Sequence, residues 1–287
     1  MVSEEGSDSN TIIHQVLTRK SVFLRTAVGM SGQAQSVAAN IDTIFICMSL
    51  NNNFNLSRLE RYLSVAWDSG ATPVILLTKA DLCDDLDKKV YEAECASSFA
   101  DVIALSIFDE NLDEKFVKYL KLGTTSAFIG SSGVGKSTLI NRILGEDILP
   151  IADTGKLDKG KHTTTGRAMF ISPFGGVVID TPGMRELGVE SANFTKTFNE
   201  IEEMISQCKF HDCTHTNEPD CAILAAIASG RLDERRFANY QKLKVEARYD
   251  GLNAKEIEVK KLDRMFKEVG GMKNMRKFAK EQRKRKS

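Results

Sequence analysis

The sequence predicts an α/β fold: a mostly parallel β-sheet covered on both faces by helices, followed by a smaller helical region. Three observations carry that prediction. Apolar runs of strand length alternate with amphipathic helical stretches, several runs are continuous rather than alternating, and strand signals stop after about Ser191. Strands that alternate with helices build parallel sheets, and a strand buried on both faces has no polar side to show.

Taken in order, the first such run is "DTIFICMSL", Asp42–Leu50, in which Cys47 is most simply a buried small hydrophobe. Leu59, Tyr62, Leu63, Ala66 and Trp67 then recur at spacings of three and four, which predicts a helix ending at Gly70. Further strands are expected at Thr72–Thr78, Asp101–Ser106, Thr125–Gly130, Ala168–Ser172 and Gly176–Asp180. Beyond them the chain reads as helix, loop, helix and basic tail.

Length and composition bound what this chain can be. Its 287 residues, 42% of them apolar, suffice for about two domains at roughly 100–200 residues each. The formal charge is zero, with 39 basic and 39 acidic residues, but the distribution is uneven. Lys255 to Ser287 hold 13 Lys and Arg against 5 Asp and Glu, so a basic tail follows an acidic body. The opening "MVSEEGSDSN" is acidic, the reverse of a signal peptide. "AILAAIA", Ala222–Ala228, falls far short of the ~20 apolar residues that cross a bilayer. A cytoplasmic protein with no membrane partner is expected. In such a chain six cysteines suggest metal or buried thiols before disulfides.

"GSSGVGKST", Gly130–Thr138, fits G-x-x-x-x-G-K-S between an apolar strand and a helix. Gly130, Gly133 and Gly135 let the backbone N–H groups of the loop, from Ser131, Ser132 and Val134 through to Thr138, curl around phosphates. Lys136 would reach the outer phosphates and the Ser137 hydroxyl would ligate Mg²⁺. A helix-capping glycine turn is the alternative, but it does not need Lys-Ser in that register. "VVIDTPG" follows, with Asp180 placed to hold Mg²⁺ through water and the Gly183 N–H to meet a γ-phosphate. Between them "GKHTTTG", Gly160–Gly166, offers a threonine, Thr163, Thr164 or Thr165, to close the Mg²⁺ shell as switch loops do.

Before the phosphate loop stands "VILLTKADL", Val74–Leu82. A carboxylate at a strand end accepts two N–H groups from a guanine edge, a pairing that adenine cannot return. Asp81 would read the base after Thr78, Lys79 would lay its aliphatic stem along the purine, and Ser106 would contribute a base-side loop. A plain strand-end turn is the alternative for so short a motif. Both motifs sit at carboxyl ends of strands in one sheet, where such folds bind ligands.

"CKFHDCTHTNEPDC" places Cys208, Cys213, His215 and Cys221 in the pattern C-x₄-C-x-H-x₅-C. Three thiolates and an imidazole make a closed tetrahedral Zn²⁺ shell of the structural kind. A disulfide or four unrelated residues is the alternative. His211 falls off the pattern, as do Cys83 and Cys95.

Together "TKAD", "ALS", "GSSGVGKS", "HTTT" and "DTPG" resemble the circularly permuted GTPases, with the base motif ahead of the phosphate loop. "VLTRKSVFLR", "AANIDTIFI", "NLSRLERYL", "GATPVILLTKADL" and "DTPGMREL" narrow the resemblance to the ribosome small-subunit-dependent GTPases, the RsgA/YjeQ family, from Val16 to about Tyr249. The resemblance implies an α/β P-loop GTPase domain with permuted motif order at 36–190 and a zinc-binding helical domain with a basic tail at 191–287. It implies GTP/GDP and Mg²⁺ as ligands, one structural Zn²⁺ on the four residues named, and hydrolysis of GTP during late maturation of the small ribosomal subunit. The partners it implies are that subunit and its rRNA, bound by a monomer. Met184 stands where many GTPases carry glutamine, and the resemblance moves the water-orienting role to His162 and the Mg²⁺-sensing role to Thr164.

Three departures accompany it. Members carry a five-stranded oligonucleotide-binding barrel ahead of the nucleotide domain, and residues 1–35 are expected to be only a remnant of it. Thr78 stands where asparagine is commoner and Ile107 where alanine usually follows the serine, substitutions expected to loosen the guanine pocket. Two rival functions remain: a nucleotide-gated RNA-binding module with negligible turnover, and a P-loop enzyme that phosphorylates a small substrate.

Overall fold

The computed structural model describes residues 2–4, 11–16, 18–26, 34–51, 53–97, 99–150, 168–181 and 194–247, together with Glu256 and Val259. Near the N-terminus β1 (Val2–Glu4) pairs antiparallel with β2 (Thr11–Ile13), and β3 (Val22–Thr26) with β4 (Ala34–Ala39). The expected boundary at residue 36 falls inside β4, and Phe23 of β3 and Val37 of β4 join the core of the following sheet.

That sheet contains all six strands expected from the apolar runs: β5 (Thr43–Ser49), β6 (Thr72–Thr78), β7 (Asp101–Ala104), β8 (Thr125–Ile129), β9 (Ala168–Ile171) and β10 (Val177–Asp180). Their order is β7-β6-β5-β8-β10-β9, parallel throughout except for β9, which runs antiparallel to β10 at the edge. Every residue of β5 is buried, because alternate side chains serve two cores. Ile44, Ile46 and Met48 pack with Leu59, Leu63 and Ala66 of helix α1 (Leu56–Asp68) on one face. Phe45 and Cys47 pack on the other with Leu139, Ile140 and Ile143 of a later helix.

The helices follow the same logic. Asn55 caps α1, its side chain accepting from the Arg58 N–H, and Gly70 at φ 84° ends it where the periodicity predicts. α2 (Leu86–Ser97), the short α3 (Glu114–Val117) and α4 (Lys136–Leu144) intervene between strands. After β10 come α5 (Phe194–Thr197), α6 (Asn199–Ser206), α7 (Ala222–Ala228) and α8 (Glu234–Ala247), with no strand among the described residues of this part. They enclose a separate core around Phe198, Ile201, Ile223, Tyr240 and Leu243.

α5–α8 meet the sheet through α1, and the contact is ionic. Glu60, wholly buried on α1, receives Arg236 Nη1 at 3.0 Å, Arg235 Nη2 at 3.1 Å and the Asn239 amide. Arg236 also donates to Glu200 at 2.6 Å and to the carbonyls of Ala96 and Thr197. At the far end of the same helix pair Arg61 holds Glu246 at 2.7 Å. Among the described residues no helix is long and apolar enough to cross a membrane.

Candidate functional site

Strand order reverses between β5 and β8, since the chain winds outward from β5 through β6 and β7 on one side, then returns to β8 and adds β10 and the edge strand β9 on the other. A reversal of this kind opens a crevice at the strand carboxyl ends, and the sequence motifs converge there.

The phosphate loop joins β8 to α4. Gly130 adopts φ 148°, and a Cβ there would lie 2.4 Å from the Cys47 carbonyl on β5, so the first position of the loop admits only glycine. Gly133 and Gly135 take φ 81° and 93°, the left-handed turns that bend successive N–H groups to one side. Lys136 is buried and folds back, its Nζ donating to the Gly130 carbonyl at 2.9 Å and to that of Ser131 at 3.2 Å. Burial lowers the pKa of Lys136 and raises that of Asp180 at the end of β10, while the opposite charge of each partly restores the other. The same burial pushes the Cys47 thiol up to about 12. A triphosphate between Lys136 and Asp180 would favour the ammonium, and a cation beside Asp180 the carboxylate. Ser137 lies in the first turn of α4, and the adjacent Thr181 hydroxyl donates to the Phe128 carbonyl at 2.6 Å.

The base-side motif is bonded directly to this loop. Thr78 Oγ1 donates to the Val134 carbonyl at 2.6 Å, and Lys79, itself left-handed at φ 59°, donates from Nζ to the Gly133 carbonyl at 3.0 Å. Thr78 thus ties the end of β6 to the phosphate loop. The Ala80 N–H bonds the Leu105 carbonyl, drawing in the loop after β7. There Ser106 is buried, its hydroxyl accepts from the Phe108 N–H, and its own N–H donates to Asp109. Lys115 grips Asp109 at 2.6 Å and holds its carboxyl below the ordinary range. The resulting cleft, of about 180 Å³, is lined by Lys79, Asp81, Leu82, Ile107, Phe108 and Thr138 among others. Ile107 stands in the wall of this cleft.

A second wall, which sequence reasoning missed, flanks the loop at Ser131. Its Oγ accepts from Asn53 Nδ2 at 3.0 Å and from Arg58 Nη1 at 3.3 Å, and Arg58 also bonds Asn53 Oδ1. His162, Thr163, Thr164, Thr165 and Gly183 lie outside the described residues, as does the tail beyond 247 apart from Glu256 and Val259.

Some residues further on, Cys208, Cys213, His215 and Cys221 bring their ligand atoms within 4.8 Å of one another. Cys208 Sγ lies 3.9 Å from Cys221 Sγ and 3.6 Å from His215 Nδ1, which is 3.4 Å from Cys221 Sγ. Tetrahedral sulfur ligands at ~2.3 Å from a metal stand roughly 3.8 Å apart, so the donor set fits one four-coordinate cation. His215 reaches inward from a left-handed backbone at φ 59°, with its ring edge against Phe237. Glu218, unremarkable in the sequence, shapes the intervening loop. It accepts from the Thr214 hydroxyl and from the N–H groups of Thr214, Thr216 and Asn217, and these bonds, the hydroxyl's first, hold its carboxyl far below the ordinary range. The cysteines are free thiols, with no disulfide among the described residues.

Comparison with known proteins agrees with this geometry. The model of the RsgA GTPase family matches residues 16–190. The chain is 50% identical over 273 residues to small ribosomal subunit biogenesis GTPase RsgA 2 of Lactiplantibacillus plantarum, covering 94% of this chain and 77% of that one. It is 43% identical over 280 residues to RsgA of Methanosarcina acetivorans, covering 96% of this chain and 76% of that protein. Among solved structures, YjeQ from Thermotoga maritima superposes with a TM-score of 0.59 at 28% identity, over 83% of this chain and 79% of the other. The circularly permuted GTPase YloQ gives 0.58 at 24% identity over 85% and 77%, which speaks to fold alone.

Proposed function

The chain belongs to the RsgA GTPase family, and from that premise we propose that it hydrolyses GTP in late maturation of the small ribosomal subunit, binding the subunit's RNA in one nucleotide state and leaving it in the other. The observation that carries this reading is the pair of bonds from Thr78 and Lys79 to the phosphate loop. A base-reading strap tied to a phosphate cradle makes sense if one ligand spans both.

In this reading Asp81 accepts the guanine N–H groups, Lys79 lies along the purine, and Ser106 fixes the base-side loop. The N–H groups from Ser131 to Thr138 and the Lys136 ammonium hold the phosphates. Ser137, Thr164 and, through water, Asp180 would hold Mg²⁺, which would supply positive charge to neutralise the phosphates. The Gly183 N–H meets the γ-phosphate, and His162 orients the attacking water. Cys208, Cys213, His215 and Cys221 hold one Zn²⁺ with no position left for water, a structural role. Residues 36–190 form the nucleotide domain and 191–287 the zinc domain, whose basic tail neutralises RNA phosphates. Residues 1–35 correspond to part of the family's barrel. The protein acts as a cytoplasmic monomer.

GTP turnover measured with and without purified small subunits tests the reading, and stimulation by the subunits is expected. Turnover that stays negligible with subunits would favour a nucleotide-gated binding module, and phosphate transfer to anything but water a kinase. Asp81→Asn is expected to cut the preference for GTP over ATP by ~10–100-fold, the worth of a charged hydrogen bond. An unchanged preference would remove Asp81 from the base site. His162→Ala should bind GTP nearly as well as the parent but turn it over ~10²-fold more slowly. Equal single-turnover rates with subunits present would assign the water to another group.

A further inference from the structure

Phe108 is 77% exposed, one of the most exposed large apolar side chains among the described residues, and it lines the cleft that Lys79 and Asp81 share. A single exposed phenylalanine would need no explanation. This one stands on a loop whose backbone is fixed. Its own N–H bonds the buried Ser106 hydroxyl, the Ser106 N–H bonds Asp109, and Asp109 is clamped by Lys115.

The strand order says from which side it approaches. Lys79 leaves the end of β6 and reaches across β5 to Gly133, on the loop after β8. Phe108 follows β7, the neighbour of β6 on its other side. The lysine is thus drawn to the β5 side of β6 while Phe108 belongs to the loop on the β7 side, and both line the cleft with Asp81.

We propose that Phe108 is a further nucleotide-binding residue, stacking its ring on the face of the purine opposite the Lys79 stem. The proposal rests on the assignment of this cleft to the base. An aromatic ring meets any base through its π-face and is therefore sequence-tolerant. A carboxylate meets only the edge whose donors match it. The cleft accordingly divides its work: Asp81 selects the base, and Phe108 adds affinity without selecting. Leu82, 65% exposed on the same cleft, extends the apolar surface that a stacked base would cover.

The test is titration of the full chain with GDP, IDP and ADP, each with the parent, Phe108→Ala, Phe108→Leu and Phe108→Trp. Stacking is worth ~1–3 kcal/mol per base by alanine substitution, so Phe108→Ala should weaken GDP on the order of 10-fold or more. IDP and ADP should weaken by the same factor, and Phe108→Leu should fall between. In Phe108→Trp, GDP should quench the new indole, with the parent, whose sole tryptophan is Trp67, as the reference. Parent-like GDP affinity in Phe108→Ala, or an unquenched indole at saturating GDP, would overturn the proposal while leaving the base site in place. A loss confined to GDP would also overturn it, because Phe108 would then be reading the edge. A parent that binds GDP no better than ADP would remove the base-site assignment itself, and the stacking proposal with it.

Discussion

Cys213→Ala, or stripping the metal with a strong chelator, is expected to unfold α6–α8 while leaving nucleotide affinity within a few-fold of the parent. The four ligand atoms join the end of α6, through Cys208, to the start of α7, at Cys221. The core of this part is small, built around Phe198, Ile201, Ile223 and Tyr240, and metal–ligand bonds form a large share of the folding free energy of such units. The base and phosphate cleft draws none of its lining residues from it. Metal analysis should find about one Zn²⁺ per chain, and hydrogen exchange should quicken across α6–α8. A metal-free preparation with parental exchange protection, or a disulfide among these cysteines, would sink the idea.

Glu60→Ala should be comparably damaging, although Glu60 touches neither ligand nor metal. The substitution leaves the Arg236 guanidinium buried, and the neighbouring Arg235 and Asn239, without the carboxylate that holds them. Breaking a buried ion pair from one side costs about 3–5 kcal/mol. The denaturant midpoint should drop accordingly, and protection should be lost in both α1 and α8. Arg236 keeps Glu200 and two carbonyls as partners, so the loss should lie toward the lower end of that range. Replacing Glu60 and Arg236 together by apolar residues should recover only part of it, because Glu200 then loses its guanidinium. A double-mutant cycle with no coupling between the two positions would show that the contact is incidental.

These two sites differ in how far the sequence revealed them. The candidate metal ligands Cys208, Cys213, His215 and Cys221 sit within fourteen residues, and their spacing is itself the chemical signal. The strands of the sheet were legible for a similar reason: β5 is apolar at every position because Phe45 and Ile46 face different cores. The order of those strands was not legible, nor the antiparallel edge at β9, since pairing is a property of the whole sheet. Glu60 was hidden because the charged residues of "LERYL" and "DERRF" carry no motif. Their burial depends on a partner about 175 residues away. Thr78 was legible as part of a base motif, but its bond to the Val134 carbonyl was not, because it joins residues 56 positions apart. Asn53 and Arg58 carried no motif at all, and only the fold brings them to Ser131.

The grip on Glu60 also changes which movements remain open to the C-terminal helices. A body tethered by its linker alone could swivel about three axes and would report nothing in particular about where it was attached. Fastened a second time, at α1, through Glu60 and through the Arg61–Glu246 pair, it loses much of that freedom. One anchorage is the chain leaving β10 beside Asp180, and the other is a helix whose opening turn, at Arg58, touches the phosphate loop. Both anchorages therefore adjoin the phosphate loop and Asp180, and a displacement of either has a direct mechanical link to the C-terminal helices.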